Sequence, residues 1–307
     1  MGRIVSDEAR HVSVMVTEVL DALGDVSHGV VVDGTVGQGG HAAAILGRTP
    51  SAVRLFGFDR DPAAIEVATR RLAPFCDRAV LVNRGYEEAA DALAEAGAGA
   101  AAFVLLDLGL SSTQLASDRG FSMSGDQDAP LDMRFDPGSG PTAADLIREL
   151  PEPRLAAALH DLGEVPASRR LAARLKEASR AGRMRTVGQF TAACRSVLGS
   201  SVRKMPSPTL PAQAMRILVN REIDRLDAFL AAVPRLLAPS GRLAVISFHS
   251  IEDRQVKLAF RQLARQGGFA VETKRPLSPG PAEVAENRRA RSARMRVLSR
   301  VAEEVIQ

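Results

Sequence analysis

The sequence is poor in the residues that build cross-linked, metal-binding or membrane-spanning proteins. Its 307 residues include two cysteines, Cys76 and Cys194, without the paired spacing of a disulfide framework. His11, His28 and His160 show no metal-ligand spacing, so we expect no catalytic metal. No apolar run is long enough to span a bilayer, and the polar N-terminus lacks the apolar core of a signal peptide. We therefore expect a cytoplasmic protein without a membrane partner.

Tryptophan is absent and tyrosine occurs once, which argues against a broad aromatic platform for stacking nucleic-acid bases. The formal net charge is +4, and arginine is concentrated in two stretches, 169–185 and 288–300. Clustered arginine suits contacts to phosphate groups, although a GC-rich genome would also enrich arginine and alanine. Charge alone therefore favours nucleic-acid binding only slightly.

Short apolar runs that end in polar or acidic residues predict buried strands. These runs are residues 29–33, 55–59, 79–83, 102–107 and 242–248. Helical patterns over 62–71 and 86–96 lie between them, and the first follows Asp61, a good N-cap, with Pro62 at the first helical position. This alternation predicts an α/β fold with a doubly wound, Rossmann-like parallel sheet.

The fourth and fifth of these strands are separated by far more chain than one crossover requires. Residues 212–237 read as one long helix that leads into the fifth strand. Before it comes an irregular stretch at 118–140, rich in Gly, Asp and Pro. Four helical patterns follow that stretch, at 142–150, 153–162, 167–181 and 186–198. We therefore predict a mainly helical domain at 112–210, inserted into a discontinuous domain formed by 1–111 and 211–307.

A glycine-rich loop, with the sequence DGTVGQGGH, follows the first strand. Its glycines permit positive φ and a close approach of backbone to a ligand, and the next helix offers oriented N–H groups. Asp59 ends the second strand, where a carboxylate can accept hydrogen bonds from ribose hydroxyls. The pattern Gly37-x-Gly39-x-x-Ala42 also satisfies the dinucleotide fingerprint. Asp33, at the start of the loop, favours S-adenosylmethionine, because methyltransferase loops commonly carry an acid near the methionine end of that ligand.

Further motifs run in order along nearly the whole chain. With the loop itself, they are residues 11–15 (HVSVM), 33–41 (DGTVGQGGH), 58–62 (FDRDP), 107–115 (DLGLSSTQL), 119–122 (RGFS), 130–134 (PLDMR), 213–217 (QAMRI), 247–254 (SFHSIEDR) and 289–293 (RARSA). Together they resemble the motifs of the ribosomal RNA small subunit methyltransferase H family, formerly called MraW. The chain departs from that family at 162–165, 208–212 and 287–292, where, for example, Leu210 replaces an arginine. These departures lie outside the cofactor loop, so they bear on substrate contacts more than on chemistry.

The resemblance implies a methyltransferase that uses S-adenosylmethionine to methylate N4 of a cytosine in the decoding region of 16S ribosomal RNA. Its partner would be the small ribosomal subunit, and the enzyme would be a monomer or a homodimer. The positions that the resemblance assigns to the methyl donor are Gly39, Gly40, His41, Asp59, Tyr86, Asp107 and Gln114. Tyr86 stands where phenylalanine is usual. Asp33 and Gly37 complete the predicted cofactor site.

The predicted reaction needs an acceptor for the amino group of the base. A cytosine amino group is a weak nucleophile, because its lone pair is delocalised into the ring. A hydrogen-bond acceptor would take up the positive charge that develops on this nitrogen. Asp107, at the carboxyl end of the fourth strand, is the candidate, although it could instead orient only the cofactor or the loop. His249 follows the fifth strand and could contact the substrate, relay a proton or make a purely structural hydrogen bond.

Arginine side chains are the candidates for RNA contacts, because backbone and shape contacts suit a protein with few aromatic residues. The candidates are Arg134, Arg169, Arg170, Arg174 and Arg216. A solvated helix face is the alternative for those on the insert. Two other functions stay open: a nicotinamide (NAD)-dependent oxidoreductase that uses the same loop, and a non-catalytic RNA-binding module. The presence of all three acidic residues of the predicted site argues against the non-catalytic module. These residues are Asp33, Asp59 and Asp107.

Overall fold

The computed structural model of the protein describes residues 13–202 and 205–302, so His11 lies outside the described residues. Two compact units make up this structure. We call them the sheet unit, which spans 1–109 and 225–307, and the helical unit, which spans 110–224. The helical unit therefore extends beyond the predicted domain end at 210. None of the described helices combines the length and the apolar character needed to cross a membrane.

Strands and helices alternate in the sheet unit, whereas helices dominate the helical unit. The strands are β1 (Gly29–Asp33), β2 (Val53–Phe58), β3 (Ala79–Val82), β4 (Ala101–Asp107), β5 (Ser201–Val202), β6 (Met205–Pro206), β7 (Leu237–Ser247), β8 (Phe269–Val271) and β9 (Arg294–Arg300). The helices are α1 (Val16–Leu23), α2 (Gly40–Arg48), α3 (Pro62–Leu72), α4 (Ala89–Glu95), α5 (Ser112–Ala116), α6 (Ala143–Glu149), α7 (Glu152–Gly163), α8 (Ser168–Arg180), α9 (Val187–Leu198), α10 (Thr209–Asn220), α11 (Glu222–Leu236), α12 (Ser250–Gln266) and α13 (Pro281–Glu286). Short 3-10 turns occupy Ala73–Arg78, Tyr86–Glu88 and Arg288–Ser292.

The main sheet has the strand order β3-β2-β1-β4-β7-β9-β8 among the described residues. The first five strands of this order are parallel, as predicted, and each contains or overlaps one of the predicted apolar runs. Alternate residues of each strand enter different cores. Val32 packs in the core on one face, whereas Val31 packs in the core on the other. Because both faces are covered, these strands show no alternation of apolar and polar residues.

Two antiparallel strands at one edge of the sheet were not predicted. Strand β9 pairs with β7 on one side and with β8 on the other, both antiparallel. Its sequence, RMRVLSR, reads as part of an arginine cluster, yet Arg296 is 6% exposed. The Arg296 guanidinium donates from Nε to Asp253 Oδ1 at 2.7 Å and from Nη2 to Asp253 Oδ2 at 3.1 Å. A buried ion pair with α12 therefore allows arginine inside this sheet.

The helical unit is built on the four predicted helices, which the structure confirms as α6 to α9 within one or two residues. Thr142 and Thr186 begin α6 and α9 with capping boxes, in which the threonine side chain and the third helical residue satisfy each other's backbone N–H groups. Lys176 of α8 is 8% exposed, and its ammonium donates to three carbonyl oxygens at the end of α6. The lysine thus satisfies carbonyl groups that the end of a helix leaves open.

The prediction of one long helix over 212–237 is wrong, because the chain breaks between α10 and α11. Arg221 adopts a left-handed conformation with φ 52°. The preceding Asn220 donates from Nδ2 to the Met133 carbonyl oxygen and accepts at Oδ1 from the Phe135 N–H, both at 2.8 Å. These contacts tie the end of α10 to a loop of the helical unit. The helix pattern of the sequence contains no signal of this long-range contact.

The buried Arg296–Asp253 pair generates a stability prediction. Replacing Arg296 with methionine leaves the Asp253 carboxylate buried without its bidentate partner, which typically costs about 3–5 kcal/mol. We expect denaturant unfolding of this variant to show a loss of that order. Replacing Arg294 with methionine is the matched control, because Arg294 is 56% exposed and lies 3.9 Å from Asp253. This control should lose only about 0–1 kcal/mol. Equal losses in the two variants would contradict a structural role for the buried pair.

Candidate active site

The candidate site lies at the carboxyl edge of the sheet, where the strand order reverses between β1 and β4. Parallel α/β sheets bind ligands in the crevice that such a reversal opens. The chain leaving β1 stays attached to both neighbouring strands. Gly34 N donates to the Leu105 carbonyl oxygen at 2.9 Å, and Val36 N donates to the Phe58 carbonyl oxygen at 2.8 Å. The glycine-rich loop is therefore held over the ends of β2 and β4.

Two glycines of this loop adopt backbone conformations that suit glycine. Gly37 has φ 49° and Gly39 has φ 77°, both in the left-handed region. Gly39 is the N-cap of α2, and Gly40 is the first residue of that helix. The loop therefore leads directly into a helix N-terminus, whose first N–H groups lack partners within the helix.

Asp59 follows β2 and holds the loop from that side. Its Oδ2 accepts from Gly37 N at 3.0 Å, and its Oδ1 accepts from Asp61 N at 2.9 Å. Burial raises the pKa of the Asp59 carboxyl to about 6, against the opposing effect of these N–H donors. Asp59, the predicted acceptor for ribose hydroxyls, thus already takes part in the hydrogen bonding that shapes the loop.

Asp33 and His41 form the buried floor of the site. Asp33 is 1% exposed and accepts at Oδ1 from Thr35 N at 3.2 Å, whereas its Oδ2 has no hydrogen-bond partner among the described residues. Burial raises the pKa of Asp33 to about 6, although His41 opposes this shift. His41 is also buried, and neither ring nitrogen has a hydrogen-bond partner in the described chain. Burial disfavours its charged form, yet the pKa of His41 is raised because Asp107 and Asp33 lie nearby.

Asp107, the last residue of β4, lies beside this floor. Its Oδ2 is 3.5 Å from His41 Nε2, and its backbone N–H donates to Thr35 Oγ1 at 2.7 Å. Its side chain is 23% exposed, but Oδ1 is buried and has no hydrogen-bond partner in the part of the chain that is described. Asp33, His41, Asp59 and Asp107 are therefore arranged around one loop. Sequence reasoning missed Thr35, whose only local signal is its place inside the loop.

The structure places the other two predicted cofactor residues in different units. Tyr86 begins the 3-10 turn after β3, and its ring meets the Phe229 ring edge-on, with centroids 5.6 Å apart. Gln114 belongs to the helical unit. Its Oε1 accepts from Ser111 N at 3.0 Å, and its own N–H donates to Ser111 Oγ at 3.1 Å. Gln114 thus completes the capping box of α5.

His249 is the N-cap of α12 and is held by Glu252. His249 Nδ1 accepts from Glu252 N at 3.4 Å, and Nε2 lies 3.0 Å from Glu252 Oε1. Glu252 is 3% exposed and also accepts at Oε2 from Phe248 N at 3.0 Å. These contacts favour the structural role among those considered for His249. The spacing of a capping residue and a glutamate three positions later could have revealed this arrangement.

The arginines that were predicted to contact RNA differ in whether their guanidinium groups form ion pairs within the protein. Arg216 makes a bidentate pair with Glu222, both bonds at 2.8 Å, and is 13% exposed. Arg134 makes a similar pair with Asp132. Arg174 is 3.0 Å from Glu177. By contrast, two of the candidates, both in α8, are exposed and have no acidic partner among the described residues. They are Arg169 and Arg170.

Comparison with known proteins finds similarity to one protein family along nearly the whole chain. The model of the MraW methylase family matches residues 8–301. A ribosomal RNA small subunit methyltransferase H from Sorangium cellulosum is 44% identical, and the match covers 95% of this chain and 91% of that protein. The protein of the same name from Geobacter sp. strain M21 is 40% identical, with 96% of this chain and 100% of that protein covered.

Solved structures give more distant matches. An rRNA methylase from Streptococcus thermophilus is 14% identical with a TM-score of 0.40, and the match covers 92% of this chain and 93% of that one. A SAM-dependent O-methyltransferase from Thermotoga maritima is 11% identical with a TM-score of 0.39, over 94% of this chain and 65% of that one. The family model and the curated relatives decide the assignment, and this chain belongs to the MraW methylase family.

Proposed function

We propose that the protein uses S-adenosylmethionine to methylate N4 of a cytosine in the decoding region of 16S ribosomal RNA, in the cytoplasm. The observation that carries the proposal is the buried Asp107 Oδ1, which has no hydrogen-bond partner among the described residues. A buried carboxylate oxygen without a donor is costly, and an amino group of a bound substrate would supply that donor. Membership in a methylase family favours this proposal over a nicotinamide-dependent oxidoreductase and over a non-catalytic RNA-binding module.

The residues around the loop fit S-adenosylmethionine. Asp33 Oδ2 offers an acceptor for the ammonium group of the ligand, and the His41–Asp107 contact fixes the neighbouring wall. Asp59 is the acceptor for ribose hydroxyls, while the backbone of Gly37 and Gly39 permits close approach. When bound, the cofactor supplies a methyl group that its positively charged sulfur has already activated. The protein therefore has to provide orientation and an acceptor more than activation.

Asp107 is proposed as the residue that acts on the base. The cytosine nitrogen becomes positively charged as it gains a methyl group, and it returns to neutrality by losing one proton, which the Asp107 carboxylate can take up and pass to water. Oδ1 of Asp107 would accept the hydrogen bond from that N–H and stabilise the developing charge. His41, near Oδ2, would keep the carboxylate in position. The base has to leave its stack to reach such a buried oxygen.

The cysteines argue for the amino nitrogen over ring carbon 5 as the methylated atom. Methylation at carbon 5 requires a thiolate that attacks the ring and makes this carbon nucleophilic. Cys194 is fully buried inside α9 of the helical unit, and burial raises the pKa of its thiol. Cys76 lies in the 3-10 turn before β3, whereas the loop of the candidate site follows β1. A buried thiol with a raised pKa is poorly suited to nucleophilic attack, and Cys76 lies outside the glycine-rich loop of the candidate site.

Arg169 and Arg170 remain the proposed RNA contacts of the helical unit, because their side chains are exposed and carry no acidic partner among the described residues. Arg134, Arg174 and Arg216 have acidic partners, so RNA contacts through them would compete with existing ion pairs. The proposed partner is the small ribosomal subunit or its RNA, bound by a monomer or a homodimer.

The buried Asp33 carboxyl predicts opposite effects on stability and on binding. Its folded pKa of about 6 exceeds the ordinary value of 3.8, so stability is lost as the pH rises from about 4 to about 6, and the full cost is present at neutral pH. Replacing Asp33 with asparagine should raise the unfolding free energy of the ligand-free protein at neutral pH by up to about 3 kcal/mol. This gain should vanish below about pH 4. Calorimetry should show that the same variant binds S-adenosylhomocysteine about 10- to 100-fold more weakly, because it loses a charged acceptor.

Asp25→Asn is the control for this experiment, since Asp25 is an exposed carboxyl of the same unit. This control should change neither the unfolding free energy nor the affinity for S-adenosylhomocysteine. Unchanged affinity in the Asp33 variant would remove Asp33 from the cofactor site, and a loss of its stability at neutral pH would contradict the raised pKa of Asp33.

Product analysis tests the proposed reaction itself. On unmethylated 16S ribosomal RNA, the wild-type protein should produce N4-methylcytidine, identified by mass spectrometry of nucleosides. Asp107→Ala should abolish most of this product, because the amino group loses its acceptor. The double variant Cys76→Ser, Cys194→Ala should keep the activity. Finding 5-methylcytidine, or complete inactivation of the cysteine variant while its circular dichroism stays native, would overturn the proposed reaction.

The arginines of the helical unit give a prediction on RNA affinity. Replacing Arg169 and Arg170 with glutamine should weaken RNA binding and reduce the slope of log affinity against log salt by about 0.7–0.9 for each phosphate group that is no longer neutralised. Affinity for S-adenosylhomocysteine should stay the same. The matched control is Arg221→Gln, because Arg221 is exposed but pairs with Asp224 at 3.1 Å. If the slope did not change, Arg169 and Arg170 would belong to an ordinary solvated helix face.

A further inference from the structure

Helix α12 of the sheet unit carries a row of basic side chains on its outer side, which we call the α12 stripe. The stripe consists of Arg254, Lys257, Arg261 and Arg265. Spacings of three and four residues bring these positions to one side of a helix. The three arginines are exposed and Lys257 is partly exposed. With a rise of 1.5 Å per residue, the stripe extends over about 16 Å.

The opposite side of α12 is committed to the core. Val256, Phe260 and Leu263 are buried and pack in the same hydrophobic core as residues of β7 and β9. The amphipathic pattern of the helix thus accounts for its apolar residues. It does not require the outer residues to be cationic, because any polar side chain would serve there.

The α12 stripe is not neutralised by acidic side chains. The helix has no Asp or Glu after Asp253, and none of the four stripe residues has an acidic partner among the described residues. Arginines of several other helices are paired one turn away. Those pairs are Arg70 with Glu66, Arg148 with Asp145, and Arg174 with Glu177. Arginines without an acidic partner among the described residues also occur on α8, but α12 combines four such cations at three- and four-residue spacing along one side of a helix.

This row also has an energetic cost. Lys257, Arg261 and Arg265 follow one another at four-residue intervals, and like charges at this spacing destabilise a helix by about 0.2–0.5 kcal/mol per pair. Helix stability therefore does not explain the stripe. A polyanion that binds along the helix would reverse the sign of this electrostatic term, because each cation would then face a phosphate group.

The α12 stripe leads to the edge of the sheet that holds the candidate site. Helix α12 begins directly after the loop that follows β7. At that end of the helix, Arg294 is 56% exposed and lies 3.9 Å from Asp253, the residue next to Arg254. Arg294 is paired in register with Ser247, the last residue of β7, and the preceding Ile246 is paired with Asp107. The positive charges therefore continue from the helix to the edge at which Asp107 lies.

We propose that the α12 stripe and Arg294 bind the phosphate backbone of the substrate RNA and direct it toward the site at Asp107. This inference rests on the proposed function, because it takes RNA as the substrate. RNA is favoured over an anionic membrane as the occupant. A helix that lies in a membrane surface needs an apolar face directed outward. In α12 the apolar face is buried against the sheet, and Leu258 is its exposed large hydrophobic residue, 54% exposed.

The test compares two triple variants that remove the same charge. The stripe variant is Arg254→Gln, Arg261→Gln, Arg265→Gln. The control variant is Arg70→Gln, Arg221→Gln, Arg235→Gln, which replaces three exposed arginines that have acidic partners. Binding of unmethylated 16S ribosomal RNA transcript is measured over a range of potassium chloride concentrations. The stripe variant should reduce the slope of log affinity against log salt by about 2–3, whereas the control variant should leave it near the wild-type value.

Two further measurements separate the possible outcomes. In the stripe variant, affinity for S-adenosylhomocysteine should be unchanged and the melting temperature should not fall, which would exclude misfolding as the cause. A wild-type slope in the stripe variant would overturn the inference. So would loss of binding to phosphatidylserine vesicles in that variant while its RNA slope stays the same. Nucleoside analysis of wild-type product tests the reaction separately, so a wrong methylation site would refute the proposed function without altering the RNA slope.

Discussion

The glycine-rich loop after β1 is fastened to the strands on both of its sides, and the candidate site depends on these two attachments. On the β2 side, Asp59 accepts from Gly37 N, and on the β4 side, Thr35 accepts from Asp107 N. The central position of β1 in the sheet makes both contacts possible. Because the loop is fixed at two points, Asp33 stays at its floor and α2 begins at a defined place. The geometry of the site is thus a consequence of strand order.

This arrangement concentrates carboxylates where they are costly. Asp33 and Asp59 are held in surroundings that raise their pKa values to about 6, and burial is the largest cause in each case. A fold selected for stability alone would replace Asp33, because an isolated domain gains nothing from burying a carboxylate oxygen that has no hydrogen-bond partner among the described residues. The proposed ligand, with an ammonium group for Asp33 and ribose hydroxyls for Asp59, would account for both carboxylates. The stability lost in the ligand-free protein is offset when such a ligand supplies the donors.

Local patterns in the sequence were sufficient for the parallel strands and for α6 to α9 of the helical unit, because these elements follow from burial and capping within short segments. They were insufficient where a distant residue decides the structure. Strand β9 depends on Asp253 to accept its buried Arg296, and the break after α10 depends on backbone groups near Met133 and Phe135. The candidate site shows the same division. Asp33 and Asp59 were predicted from their places at the ends of strands, whereas Thr35 acts through a contact with Asp107 that only the fold creates.

The arginines show most clearly what the fold adds to composition. A net charge of +4 among 40 basic residues says little about where a polyanion would bind. The structure separates these residues by their partners. Arg296 and Arg216 are engaged in bidentate pairs with acidic side chains, so their charge is neutralised within the protein. Arg254 and Arg261 face solvent on α12 without an acidic partner among the described residues. Since paired and unpaired arginines look alike in a sequence, a basic stretch becomes evidence for a binding surface only when its acidic neighbours have been located.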